Sequence, residues 1–166
     1  METRGDQAAR DKVVELLKGV RVAMMATAGQ DGRMHARPMA TTMADSFDGD
    51  LWFFTDASSP KVAEVERSPD VLLTYADEGK QHYVSVEGRA SAVRDRAKVA
   101  ELWSEPLRTW FPKGQDDPAI VLLKVEVERA EYWDSPSSTV VYLYGYVKAL
   151  ATGERPDPGE SASVRF

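Results

Sequence analysis

The sequence contains no cysteine, which removes disulfide frameworks, thiolate metal sites and cysteine nucleophiles together. It holds only two histidines, His35 and His82. They lie far apart and outside HExxH or any comparable metal spacing, so each reads as a strand residue near the surface. No apolar run approaches the ~20 residues needed to span a bilayer. The charged start, METRGDQAARDK, lacks the apolar core of a signal peptide. Excess positive charge is missing too: 21 Lys and Arg stand against 27 Asp and Glu, a net charge of −6. That balance argues against nucleic acid as a main partner, because a phosphate backbone calls for a basic surface. There is no GxSxG elbow, Walker P-loop or GxGxxG, which sets aside the usual hydrolase, P-loop and dinucleotide readings. The acidic pair Asp116-Asp117 lies in a Gly/Pro loop and reads as a solvated turn. What remains is an expected cytoplasmic protein, poor in catalytic side chains, with neither a membrane nor nucleic acid as partner. Such a chain can still do chemistry if a bound cofactor carries it.

What is present is ordinary globular composition: 43% hydrophobic and 29% charged residues over 166 positions. That length points to one domain with a real core, assigned to residues 1–153, followed by a loose Pro-, Gly- and Ser-rich tail at 154–166. Asp6 to Lys18 has helical spacing, with Val13, Leu16, Leu17 and Val20 on one side, and reads as a helix plugging the end of a sheet. Val22–Ala28 is a buried strand, Gly29-Gln30-Asp31-Gly32 a hairpin turn, and Met34–Met43 the returning strand. Pro38 within it implies an edge, a bulge or a free amide. A polar turn at 45–50 precedes Leu51–Thr55, a strand bulky enough to be central. Pro60 opens a short helix capped by Ser58 or Ser59 and running to Arg67. Val71–Ala76 and Gln81–Val93 are the fourth and fifth strands, Arg94–Trp103 returns to helical spacing, and Ile120–Trp133 carries the longest strand signal. Pro106–Pro118 is an irregular loop of a length that is often functional. Val140, Leu143, Val147 and Leu150 fit a helix, although VVYLYGY also fits a strand. About six strands in tight hairpins, without βαβ alternation, favour an antiparallel barrel: mainly β with flanking helices, an α+β chain.

The stretch from Arg37 to Lys61, RPMATTMADSFDGDLWFFTDASSPK, concentrates the chemistry. Hydroxyls, a helix start and two cations fall at the ends of hydrophobic strands, as a phosphate cradle requires. Arg offers a fork to phosphate, Lys a point charge, and a helix start free amides. Lys61 in the first turn opposes the helix dipole unless a bound dianion reverses its surroundings. Read alone, Arg37 serves equally as an exposed strand residue, and Trp110 and Trp133 as core or interface aromatics.

The ordered set of Arg37-Pro38-Met39, Phe53-Phe54-Thr55, Ser59-Pro60-Lys61, YVSVEGRA at 83–90, Trp110-Phe111-Pro112 and Glu131-Tyr132-Trp133-Asp134 resembles the pyridoxamine 5′-phosphate oxidase-like, FMN-binding split-barrel superfamily. Within it the chain is most similar to the general stress protein 26 branch, over roughly residues 8–152. The resemblance implies a six-stranded antiparallel split β-barrel and a homodimer with FMN in the interface, FAD remaining open. It implies that Arg37 meets the cofactor phosphate and that Pro38, Met39, Ala40, Thr41 and Thr42 line the ring. Phe54 and Thr55 would stand beside the flavin, Ser59 and Lys61 on the phosphate. Tyr83 takes the place of a Gln contact, Trp110 belongs to the Trp-Phe-Pro loop, and Trp133 would reach the flavin from the partner subunit. No catalytic side chain is implied.

The departures from the oxidases are as informative. Pro60 stands where they carry Arg, and Thr42 where they carry Lys. Their Arg-x-His segment after the tryptophan is replaced by Ser135-Pro136-Ser137-Ser138-Thr139-Val140-Val141, which has no basic residue. Pyridoxamine 5′-phosphate is therefore not the expected substrate. The expectation is a flavin-dependent oxidoreductase acting on an unidentified small molecule. The alternatives are a non-enzymatic flavin storage or sensing protein, or a flavin-free binding module that keeps the barrel for a deazaflavin or haem.

Overall fold

In chain order the elements are α1 (Gln7–Gly19), β1 (Val22–Ala28), β2 (Met34–Ala40), β3 (Asp50–Asp56), α2 (Pro60–Arg67), β4 (Asp70–Asp77), β5 (His82–Val93), α3 (Arg96–Leu102), a 3₁₀ turn (Glu105–Thr109), β6 (Ile120–Asp134), α4 (Thr139–Thr152) and β7 (Glu160–Arg165). They come from a computed structural model that describes residues 7–43, 46–135, 139–155 and 159–166. The first residue assigned to the N-terminal helix, Asp6, the start of the predicted turn at 45, and Pro136-Ser137-Ser138 lie outside the described residues.

One antiparallel sheet runs in the order β2-β1-β4-β5-β6-β3. The long strand β6 organises it. Its first half, Ile120 to Glu126, pairs with β3; its second half, Arg129 to Asp134, pairs with β7; and β5 follows its other edge throughout. The ladder slips at Glu87/Gly88, where a bulge bends the sheet. Gly88 is required there: a Cβ would stand 2.4 Å from the Glu126 carbonyl oxygen. The two ends of the path, β2 and β3, form no ladder among the described residues, and just past β2 the isolated bridge Thr42–Trp52 joins the chain to β3, so the sheet curls without closing, as in a split barrel.

The interior follows from alternation along the strands. Met25, Leu73, Tyr75, Val84, Val86, Leu123, Val125 and Tyr132 point inward and are buried. The α1 stripe of Ala9, Val13, Leu16 and Leu17 joins them against β5, β6 and β7. Burying side chains of this size stabilises by about 1.5–3 kcal/mol each. A second cluster, Trp52, Val99, Leu102, Phe111, Ile120 and Leu122, packs α3 and the loop after it onto the opposite side of β3 and β6. Asp95 caps α3 by accepting from the amides of Ala97 and Lys98. The Arg96 guanidinium then ties down the 103–119 segment by donating to the carbonyls of Asp117, Pro118 and Ile120.

Three expectations are corrected. The barrel has seven strands rather than six. The extra one, β7, lies in the segment read as a loose tail: Ala162, Ser163 and Val164 are buried, and residues 160–165 pair with β6. The Leu51–Thr55 strand ends the sheet path instead of lying at its centre. Its bulk is explained by burial on both faces, Leu51 and Phe53 in the main core and Trp52 in the second cluster. The returning strand stops at Ala40, three residues short of Met43, and Pro38 lies on the edge strand as its missing amide requires. The ambiguous VVYLYGY segment is helical, within α4.

Candidate functional site

Where β3 runs into α2, the backbone makes a tight, hydroxyl-rich turn. The Asp56 carboxylate accepts from the Ser58 amide at 2.8 Å and the Ser58 hydroxyl at 2.5 Å. These two bonds hold its pKa below the usual carboxylate value. Pro60 takes the first helical position, and Ser59 stands at the N-cap without using its side chain to cap. The Ser59 hydroxyl instead accepts from the Lys61 ammonium at 2.6 Å, and the Thr55 hydroxyl accepts from the same ammonium at 3.0 Å. The consequence is chemical. With lone pairs of Ser59 Oγ and Thr55 Oγ1 occupied by Lys61, both hydroxyls have a proton to give, and Lys61 keeps one N–H of its three. Three donors thus converge beside the start of a helix, where partial positive charge already favours an anion. Burial, and then the nearby Arg37 charge, push the Lys61 pKa below 10.5.

This turn forms the polar end of a cleft of about 530 Å³, within the size range of small-molecule and cofactor sites. Pro38, Met39 and Ala40 of β2 line one wall; Phe54, Leu107, Trp110 and Phe111 bring aromatic and aliphatic surface to the other. Phe54 is fixed edge-on to Trp103 and tilted against Phe111, with ring centroids 6.0 and 6.3 Å apart. Trp110 stands out at the rim with 79% of its surface exposed.

Of the thirteen residues expected at a cofactor, the cleft brings together Pro38, Met39, Ala40, Phe54, Thr55, Ser59, Lys61 and Trp110. The other five lie elsewhere. Thr41 shares a 2.9 Å hydrogen bond with the Tyr75 hydroxyl, whose pKa burial raises to about 12 against that bond. Thr42 makes the bridge to Trp52. Tyr83 and Trp133 are register partners on β5 and β6, both exposed on the outer face of the sheet. Arg37 sits behind the Lys61 end, where its guanidinium donates to the Thr27 hydroxyl and, at 2.9 Å, to the Glu64 carboxylate. Thr27 in turn donates to Glu64 at 2.5 Å. Burial pushes the Glu64 pKa up, but the Thr27 and Arg37 hydrogen bonds and the charges of Arg37 and His35 outweigh it and leave it below 4.5.

A model of proteins described as pyridoxamine 5′-phosphate oxidase-like matches residues 8–157. The chain belongs to that family. General stress protein 26 of Bacillus subtilis is 33% identical over 142 residues, covering 82% of this chain and 96% of the relative. Among solved structures, one from Jannaschia sp. CCS1 named for general stress protein 26 superposes with a TM-score of 0.78 at 30% identity, covering 97% and 100% of the two chains. A structure called the general stress FMN/FAD binding protein of Xanthomonas citri gives 0.71 at 28% identity, over 80% of this chain and 93% of that one. The chain is thus a general stress protein 26 relative within the oxidase-like family.

Four further residues line the cleft of this family member: Val22, Asp56, Leu107 and Phe111. Asp56 and Phe111 belong to the Thr-Asp-Ala-Ser-Ser-Pro-Lys and Trp-Phe-Pro stretches, so their neighbours were signals for them. Val22 and Leu107 had none, since only the fold carries them to the cleft. Glu64 and Thr27, which hold Arg37, were also missed. Among the described residues no group of three or more His, Cys, Asp or Glu side chains could hold a metal, and no helix is long and apolar enough to cross a membrane.

Proposed function

We propose that the cleft binds FMN through its phosphate and serves a flavin-dependent oxidoreductase acting on a small molecule other than pyridoxamine 5′-phosphate. One observation carries this reading: the Lys61 ammonium presets the Ser59 and Thr55 hydroxyls as donors at the polar end of a cleft whose other walls are apolar and aromatic. That pairing of a donor-rich end with an apolar, aromatic-lined body suits a phosphorylated aromatic cofactor. The name of the Xanthomonas citri relative includes FMN and FAD and supports the same class. When bound, a flavin ring accepts and returns electrons. The protein's part is to grip the phosphate at Ser59 and Lys61, hold the ring between the β2 backbone and Phe54, and limit water at the Phe111 wall. The missing cations after Trp133 support a substrate without a phosphate of its own.

The active unit we infer is a homodimer, working in the cytoplasm. Cross-strand partners share a face, and one face of this sheet is apolar yet exposed. Its apolar residues run from Val22 and Met24 through Leu72 to Tyr83 and Trp133, with Thr74, Ser85 and Glu87 between them. Val22 and its register partner Ala40 also line the cleft, so a second copy seated on this face would complete the cleft's open side and bring its own aromatics there. Helix α4 adds exposed Leu143, Tyr144, Tyr146, Val147 and Leu150 that such a copy would cover.

A second reading rests on one feature. The ionisable side chains lining the cleft are Asp56 and Lys61, both at the phosphate end. No proton-transfer group lines the apolar end, which suits flavin storage or sensing as well as catalysis. Titration of the purified protein with FMN tests the cofactor: binding that is lost when Arg37 and Lys61 are both replaced by Ala supports it, and no uptake refutes it. Anaerobic mixing of the loaded protein with reduced nicotinamide separates the two readings, because a flavin that no donor bleaches belongs to the storage or sensing role.

A further inference from the structure

We propose that Glu64 is a positioning residue: with Thr27 it closes a hydrogen-bonded ring that fixes the Arg37 guanidinium behind the Lys61 end of the cleft. The inference rests on the reading that this end holds a cofactor phosphate.

Glu64 occupies a place where a carboxylate is unexpected. It lies on the inner side of α2 between the buried Val62 and Val65, and is itself 7% exposed. Replacing a buried ion pair by packed apolar side chains is often neutral or stabilising, so stability alone does not call for an acid here. What the acid does is geometric. Arg37 Nη1 donates to Thr27 Oγ1, Thr27 Oγ1 donates to Glu64 Oε2, and Arg37 Nη2 donates to the same oxygen. Thr27 comes from β1, Arg37 from β2 and Glu64 from α2, so the ring staples three elements. Two anchored nitrogens fix the plane of a guanidinium. They use two of its five N–H groups, and the remaining three make no hydrogen bond among the described residues.

The helix spacing links this ring to the phosphate turn. Lys61 and Glu64 are three residues apart on α2 and therefore share a side. Arg37 and Lys61 are close enough for their charges to disfavour each other. Holding two cations together in a partly buried place is unfavourable without an anion, and Glu64 supplies only one negative charge against the two. The Asp56 carboxylate at the same end supplies a second, so what this end offers a ligand is its convergent N–H and O–H donors and not a net positive charge. None of Glu64, Thr27 and Arg37 lines the cleft, so the ring acts on a ligand through the Arg37 charge it holds beside Lys61.

Paired titrations with FMN and riboflavin, which differ by the phosphate alone, test this in the full-length chain. Glu64→Gln keeps the size and one acceptor but removes the charge; Thr27→Val removes the hydroxyl; Thr27→Ser restores it. We expect Glu64→Gln and Thr27→Val each to weaken FMN binding by about tenfold, the size of one lost charge-assisted bond. Riboflavin binding stays unchanged, and Thr27→Ser returns FMN affinity to near wild type. Equal losses for FMN and riboflavin would overturn the proposal, since a merely structural role affects both. Tighter FMN binding in Glu64→Gln would also overturn it, by making Glu64 a competitor for Arg37. Wild type that binds riboflavin as tightly as FMN would remove the phosphate grip, and this inference with it, while leaving a flavin site. Wild type that takes up neither would remove the cofactor reading and this inference with it. Should Glu64→Gln fail to fold, the Thr27 pair makes the same comparison.

Discussion

Replacing Lys61 by Met separates ligand binding from folding more cleanly than any other single change at the cleft. The ammonium makes hydrogen bonds of 2.6 and 3.0 Å to Ser59 and Thr55, which leaves one N–H for a phosphate. A hydrogen bond to a charged group contributes about 1.5–3 kcal/mol, so its loss should weaken FMN binding by roughly 10- to 150-fold. The two hydroxyls lose their preset orientation as well, which makes tenfold the floor. The unliganded protein should respond differently. Burial and the Arg37 charge lower the Lys61 pKa from 10.5, so the charged lysine is a cost to the native state. For a base whose folded pKa lies below its unfolded value, that cost is present in full at neutral pH and is relieved as pH rises through the folded pKa. Met removes the cost while sacrificing two hydrogen bonds, and the unliganded stability should move by less than about 1 kcal/mol. Flavin fluorescence titration with FMN and with riboflavin, beside urea unfolding without ligand, measures both. Equal weakening of the two flavins, or a stability loss of several kcal/mol, would refute the reasoning and make Lys61 a strut for the 55–59 turn.

The same lysine sets a pH dependence. FMN affinity should hold steady above neutrality and then fall, at most about tenfold per pH unit, with a midpoint below 10.5 because the Lys61 pKa is lowered from that value; Lys61→Met should abolish the fall. Gly88→Ala should cost about 2–4 kcal/mol in denaturant unfolding, since the new methyl would stand 2.4 Å from the Glu126 carbonyl oxygen and backbone must shift; a loss under 0.5 kcal/mol would mean the bulge is not fixed. Leu72→Glu, on the exposed sheet face, should shift the protein from dimer to monomer in size-exclusion light scattering and lower FMN affinity with it. A monomeric wild type would remove the inferred dimer.

How much of this was legible in the sequence depended on how local each interaction is. The boundaries of β1 and α2 follow from an apolar run between glycines and from Ser-Pro at a helix start, and the structure places both where those signals lie. The 160–165 segment was missed because ESASVR has little apolar signal of its own. It becomes a strand only by pairing with β6, some 30 residues earlier in the ladder from Arg129–Arg165 to Asp134–Glu160. The misplacement of β3 has the opposite origin: aromatic bulk reports burial, and β3 is buried on one face by the main core and on the other by α3 and the loop, so an end strand is as buried as a central one. At the cleft, Thr55, Ser59 and Lys61 were readable because they sit within one turn of chain. The partner of Arg37 was not, since Glu64 lies 27 residues away and Lys-x-x-Glu gives no sign of which side of the helix faces inward.

That division between local and distant interactions also bears on what the cleft can select. Its polar end draws the Ser59 and Thr55 hydroxyls and the Lys61 ammonium from one short stretch of chain, with the Arg37 guanidinium held behind them by Thr27 and Glu64. Its apolar body is assembled from β2, the 3₁₀ turn and Phe111, and from the sheet face a second copy would cover. If the cleft serves the proposed oxidoreductase, discrimination between substrates would arise at the apolar body, whose lining residues carry no charge. A pocket of that kind selects by shape and by excluded water, and discriminates between near-isosteric apolar groups by only about 1–3 kcal/mol. A phosphorylated vitamer would need a second set of cations, and the segment after Trp133 has none.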